Sequence, residues 1–214
     1  MTPIFDAVTK EKNETVIVAL QANTAYTVGF PSTATVTILN NVPAFGTGTP
    51  PQAEIGVPYS FDLPVSGGEE PYPVVTISKG ALPDGLTLSG LTIQGTPSPA
   101  AKKASITIKV TDQKGVSASK KYKITVLTAV NIATTSLTNG QINKAYKATL
   151  KVTGGKKAYT WSETSGTLPA ALTLNPATGG ISGTPLAQTT YHLIFKVTDA
   201  LGGTDEQALT LTIN

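Results

Sequence analysis

The chain of 214 residues reads as an all-β protein: two antiparallel β-sandwiches in tandem behind a short two-stranded N-terminal arm or partial sandwich. Three observations predict this. A block of about 70 residues beginning near Gly56 returns 87 positions later, near Asn143. Apolar and polar residues alternate with period two through much of that block, the pattern of strands with one buried face. The composition, with 20 Gly, 15 Pro and abundant threonine, suits short strands joined by tight turns, and no stretch reads as an amphipathic helix.

The repeat sets the domain plan. Tyr59, Gly67, Gly68, Tyr72, Asp112 and Gly115 recur as Tyr146, Gly154, Gly155, Tyr159, Asp199 and Gly202, each displaced by 87. Leu82-Pro83 returns as Leu168-Pro169 at 86 and Gly95-Thr96-Pro97 as Gly183-Thr184-Pro185 at 88, so insertions and deletions fall in turns. Solenoid units take roughly 20 to 50 residues, so this period marks two copies of a whole domain. The expected boundaries are 1–43 for the arm, 44–127 for the first sandwich and 128–214 for the second.

In the arm, residues 14–20 and 34–39 each alternate in period two, with Ala25-Tyr26-Thr27-Val28-Gly29 between them. Val16, Val18 and Leu20, with Val36, Ile38 and Phe30, supply the apolar positions. Two strands alone are marginal in water. These six residues are therefore the candidate docking positions, left exposed unless another β-structure covers them through strand addition. Burial of each such side chain favours association by roughly 1.5 to 3 kcal/mol.

A Pro/Gly linker, Val42 through Pro51, leads into the first repeat, and its prolines make it semi-stiff. An early strand at Tyr59-Ser60-Phe61-Asp62-Leu63 ends at Gly67-Gly68, and Tyr146-Lys147-Ala148-Thr149-Leu150 ends likewise at Gly154-Gly155. A further strand is expected from Pro73 to Ile77 and around Tyr159-Thr160-Trp161, with Trp161, the one tryptophan, in the core. Ile106, Ile108 and Val110 form one arm of a hairpin that turns at Asp112-Gln113-Lys114-Gly115 and returns with Tyr122, Ile124 and Val126 buried. The second copy uses Leu193, Phe195 and Val197, then Asp199-Ala200-Leu201-Gly202, then Leu209, Leu211 and Ile213. The junction from Leu127 to Ala133 is short and β-branched, which favours domains placed end to end.

Between the early strands and these hairpins lie Gly80-Ala81-Leu82-Pro83-Asp84-Gly85-Leu86-Thr87-Leu88 and Gly166-Thr167-Leu168-Pro169-Ala170-Ala171-Leu172-Thr173-Leu174. Each is followed by Ile-x-Gly-Thr-Pro and later by Val-Thr-Asp-x-x-Gly. This order resembles the putative-Ig repeat, a cadherin-like immunoglobulin-type sandwich met in bacterial surface proteins, over roughly 52–126 and 137–213. The resemblance implies an Ig-like fold and a spacer or adhesive role, since the motif marks a fold rather than a chemistry. The N-terminal run Asn13-Glu14-Thr15-Val16-Ile17-Val18-Ala19-Leu20 … Tyr26-Thr27-Val28-Gly29 … Ser32-Thr33-Ala34-Thr35-Val36-Thr37-Ile38-Leu39-Asn40-Asn41 is similar to the last third of a Calx-beta domain.

Much chemistry is excluded. Without cysteine there is neither a disulfide, a thiolate metal site nor a thiol nucleophile. All 16 basic residues are lysines, and a chain lacking the guanidinium fork is a poor candidate for nucleic-acid recognition. Lys120, Lys121, Lys123, Lys144, Lys147 and Lys151 alternate with apolar residues as an outward strand face does. The single His192 alternates with Leu193 and Phe195 and points outward, so no Ser-His-Asp relay is expected. Glu69 and Glu70 sit at a Gly-Gly turn as a solvated tip rather than as paired catalytic acids.

Calcium binding would require several carboxylates. The chain has Asn40-Asn41 where Calx-beta domains commonly carry acids, and Asp112 and Asp199 occupy turns where aspartate accepts its own backbone N–H groups. No enzyme activity, metal or cofactor is expected. Phe45, Tyr72 and Tyr122 are the aromatics with which a glycan-binding reading can be tested.

The start, Met1-Thr2-Pro3-Ile4-Phe5-Asp6, carries no basic segment followed by an apolar run, so no signal peptide is expected, and no segment is long enough for membrane insertion. The functional expectation is a non-catalytic structural or interaction protein that displays tandem Ig-like domains from a larger assembly. Its partner would be a protein, such as a capsid or a second copy, engaged through the arm. Two settings fit: a virion decoration or fibre component, and a bacterial cell-surface or secreted adhesin module.

Overall fold

The computed structural model describes residues 14–19, 24–25, 27, 33–38 and 42–214. Among these the chain is all strand and turn, with no helix. The arm contributes β1 (Glu14–Ala19) and β2 (Thr33–Ile38). The first repeat follows with β3 (Ala44–Phe45), β4 (Ala53–Glu54), β5 (Tyr59–Asp62), β6 (Val65–Ser66), β7 (Val74–Lys79), β8 (Leu86–Ser89), β9 (Thr92–Gly95), β10 (Ala104–Thr111), β11 (Ser117–Ile124) and β12 (Val126–Leu127). The second contributes β13 (Asn131–Ile132), β14 (Tyr146–Thr149), β15 (Val152–Thr153), β16 (Thr160–Ser165), β17 (Leu172–Leu174), β18 (Gly180–Gly183), β19 (Thr190–Thr198) and β20 (Thr204–Thr212).

Each repeat builds the same set of sheets. In the first, β5, β9 and β8 form one three-stranded sheet in that order, and β11, β10 and β7 another. In the second, the corresponding sheets run β14–β18–β17 and β16–β19–β20. The tandem Ig-like sandwich expected from alternation is therefore the observed architecture. The alternation works as read: on β19 Leu193, Phe195 and Val197 are buried while His192 faces out, and on β20 Leu209 and Leu211 are buried while Thr210 is exposed. Trp161 is 3% exposed within the core of the second repeat, as expected from its place in mid-strand.

The Gly-Thr-Pro motif has a steric cause. Gly95 and Gly183 hold φ of 133° and 145°, and a Cβ on either would run into the carbonyl oxygen of Gly85 or Ala171, the residue just before the strand alongside. Only glycine lets the two backbones approach so closely there. One pairing was not legible in advance. After Ile124 the chain leaves β11, and β12 pairs in parallel with β4, matching Val126 with Ala53 and Leu127 with Glu54. The second repeat repeats this as the parallel bridge between Gly140 and Ile213.

The chain packs as two compact units that do not coincide with the repeats. One comprises the described residues within Met1–Thr47 together with Pro64–Ser78 and Ile108–Lys120; it holds the β1–β2 hairpin, the β3–β6 pair and the Asp112 turn. The other comprises Gly48–Leu63, Lys79–Thr107 and Lys121–Asn214, and so includes β4, β12 and the whole second repeat.

Candidate functional site

Of the six arm positions named from sequence, Leu20 and Phe30 lie outside the described residues. The other four fall on the hairpin, whose antiparallel register sets Val16 opposite Val36, Val18 opposite Ala34 and Ile38 opposite Glu14. Among the described residues β1 and β2 pair with each other and with no third strand. Each strand therefore keeps one backbone edge that no other described strand takes.

The repeated landmark residues are accounted for by local structure. Tyr59 and Tyr146 send their hydroxyls to the carbonyls of Pro51 (3.4 Å) and Thr138 (3.0 Å). Tyr72 and Tyr159 close their Gly-Gly turns by donating to Gly67 and Gly154 at 2.6 and 2.7 Å. Tyr122 is 2% exposed and packs edge-on against Phe61, with ring centroids 5.8 Å apart. It cannot be an exposed platform for sugars, which corrects its inclusion among the glycan candidates; it shares the buried face of its strand with Ile124. Glu69 is an exposed tip paired with Lys114 at 3.2 Å, and Lys120 reaches the carbonyl of Gly46. His192 is exposed, with Nδ1 3.5 Å from the Thr210 hydroxyl.

Asp112 and Asp199 organise their turns as the Val-Thr-Asp-x-x-Gly motif implies. Asp112 accepts the Val116 N–H on Oδ1 at 2.8 Å and the Glu69 N–H on Oδ2 at 3.4 Å. Asp199 accepts the N–H groups of Leu201 (2.9 Å) and Gly203 (2.8 Å) on Oδ1 and that of Lys156 on Oδ2. The second turn has an additional member that sequence reasoning did not single out. Glu54, from β4 of the preceding repeat, is 1% exposed and accepts the Val130 N–H on Oε1 at 3.0 Å. Its Oε2 is buried without a donor among the described residues, and the two carboxyls border one space: a Cβ on Gly203 would run into Glu54 Oε1 and lie 3.3 Å from Asp199 Oδ1.

Two carboxyl groups in one buried space titrate as a pair. Burial pushes Glu54 up to about 7, helped by the hydrogen bond and negative charge of Asp199 and opposed by the Val130 N–H. For Asp199 burial also pushes upward, but the proton on Glu54 and the three turn N–H groups outweigh it and hold the carboxyl below its ordinary value. These opposite shifts favour a neutral Glu54 beside an ionised Asp199 below about pH 7. The pair is not a cation site: backbone N–H donors already converge on the carboxylates, and among the described residues no group of three or more His, Cys, Asp or Glu could hold a metal ion.

The Putative Ig domain family matches residues 36–127 and 128–214, and the chain belongs to that family. No curated protein matches the chain. Among solved structures, a "putative alpha-galactosidase/melibiase" from Bacteroides fragilis is 25% identical over 40% of this chain and 18% of its own, with a TM-score of 0.36. An I-band fragment of titin is 12% identical over 80% of this chain and 65% of its own, with a TM-score of 0.45, and the insect immune protein hemolin 15% identical over 90% and 54%, with a TM-score of 0.39. The chain spans about a fifth of the length of the galactosidase-type structures it matches. Tandem Ig-like domains are typical of non-catalytic interaction or structural modules at surfaces. Among the described residues no helix is long and apolar enough to cross a membrane.

Proposed function

We propose that the protein is a non-catalytic display module whose tandem Ig-like domains are held on a larger assembly by strand addition to its N-terminal hairpin. The observation that carries this reading is the two-stranded β1–β2 sheet, with no third strand among the described residues to take either outer edge. Unsatisfied strand edges recruit other strands, and a lone hairpin is not independently stable. The resemblance that the sequence of this run bears to the last third of a Calx-beta domain fits the same proposal. The partner is a β-structured protein, either a second copy of this chain or a component of a virion or bacterial surface.

Measuring the mass in solution of the full chain and of a form lacking residues 1–41 tests this. The reading expects the full chain to self-associate, or to be captured by the native assembly, and the shortened chain to remain monomeric. A monomeric full chain whose first 40 or so residues resist protease would defeat it, since a closed arm offers no edge.

A further inference from the structure

We propose that Glu54 and Asp199 form a one-proton clasp that fastens β4 of the first repeat to the entry and turn of the second, and that the clasp releases as the solution becomes alkaline. Glu54 reaches across the junction to the Val130 N–H, three residues after β12 ends at Leu127. Its remaining oxygen has no donor, and the neighbouring Asp199 carboxylate is already an acceptor. Two buried carboxylates this close repel if both are ionised, whereas one shared proton turns the repulsion into an O–H···O⁻ hydrogen bond.

The groups around the pair offer no alternative neutralisation. From the turn after β15, Lys156 contributes its backbone N–H. Asp205 on β20 is turned to the Ile132 N–H at 2.7 Å and the Asn131 amide at 3.2 Å. β12 supplies only Val126 and Leu127, and β13 only Asn131 and Ile132. Among the described residues no basic side chain bonds either carboxyl.

Comparison of the repeats shows the clasp to be built by particular residues. A Cβ on Gly203 would run into Glu54 Oε1 and lie 3.0 Å from its Cδ, so glycine there opens the space for the carboxyl. The corresponding residue of the first repeat is Val116, displaced by 87. Val130 corresponds by the same displacement to Pro43, which has no N–H to offer, and Glu54 to the uncharged Gln141. A cleft of about 250 Å³ lined by Glu54, Gly56, Val130, Gly203 and Thr204 gives water a path to the ionised pair.

Amide hydrogen exchange on the full chain, corrected for the intrinsic rate at each pH, provides the test. Protection of the Val130 and Gly203 amides should fall by about tenfold or more between pH 5.5 and 8.5. In Glu54→Gln, which keeps a donor but cannot ionise, protection should not change with pH. Protection that is flat with pH in the unmodified chain overturns the clasp, as does an equal decline in Glu54→Gln. Should the variant fail to fold, the profile of the unmodified chain decides alone.

Discussion

The Asp112 and Asp199 turns occupy the same place in two copies of one domain and use the same backbone bonds. Asp112 N–H donates to the Val116 carbonyl and Asp199 N–H to that of Gly203, each at 2.9 Å, while Gln113 and Ala200 donate to Glu69 and Lys156. What differs is the neighbourhood. Asp112 bonds to its own turn and to Glu69 of the same repeat, whereas Asp199 also meets a carboxyl from the preceding repeat. Duplication supplied the aspartate twice, but only the second copy carries the glycine and the free N–H that let Glu54 enter. A residue whose job in isolation is to close a hairpin thus becomes, in tandem, part of a junction.

The strongest way to break that comparison is to remove each aspartate. Asp199→Ala leaves three turn N–H groups without an acceptor, and Asp112→Ala leaves two. With each buried orphan costing about 1 to 3 kcal/mol, urea unfolding should show Asp199→Ala less stable than wild type by about 3 kcal/mol or more and Asp112→Ala by about 2. Equal losses would mean that the extra bonding at Asp199 contributes nothing. Gly203→Val, which copies the first repeat into the second, should expel Glu54 and cost about 1 to 3 kcal/mol by the same measurement, and should abolish the pH dependence described below.

A smaller effect sharpens a second difference between the copies. Ala171 holds φ of 70° where the first repeat has Gly85 at 90°. Left-handed backbone costs an alanine roughly 1 kcal/mol, so Ala171→Gly should raise the unfolding free energy by about 0.5 to 1 kcal/mol. Any loss of stability would contradict this.

The hairpins, the core and the repeat were legible because they depend on alternation and on glycines at positions where no Cβ fits. Leu193, Phe195 and Val197 could be placed inward from period two alone, and Gly95 and Gly183 from the motif they share. β12 escaped because two residues carry no period. Glu54 escaped for a different reason: its strand is also two residues long, and a buried acid is selected by what folds around it. The signal in hindsight is comparative, since Gly203 stands where the motif's other copy has Val116. Tyr122 shows the converse error, an aromatic considered as a ligand platform although its alternation with Ile124 already placed it inside.

The pair also sets a pH dependence whose sign follows from Glu54. Its carboxyl lies near 7 in the folded chain against an ordinary value of 4.5, so between these limits the folded state holds a proton that the unfolded state has lost. Stability from this group is therefore complete below pH 4.5 and declines as pH rises, by about 3 kcal/mol once the folded carboxyl has ionised. Asp199 acts oppositely, contributing stability above its ordinary value of 3.8 that is lost as pH falls. The direct measurement is an NMR titration of the Glu54 side-chain carboxyl carbon in the full chain. A midpoint near 7 that disappears in Gly203→Val is the predicted result; a midpoint near 4.5 would show that Glu54 meets water rather than Asp199.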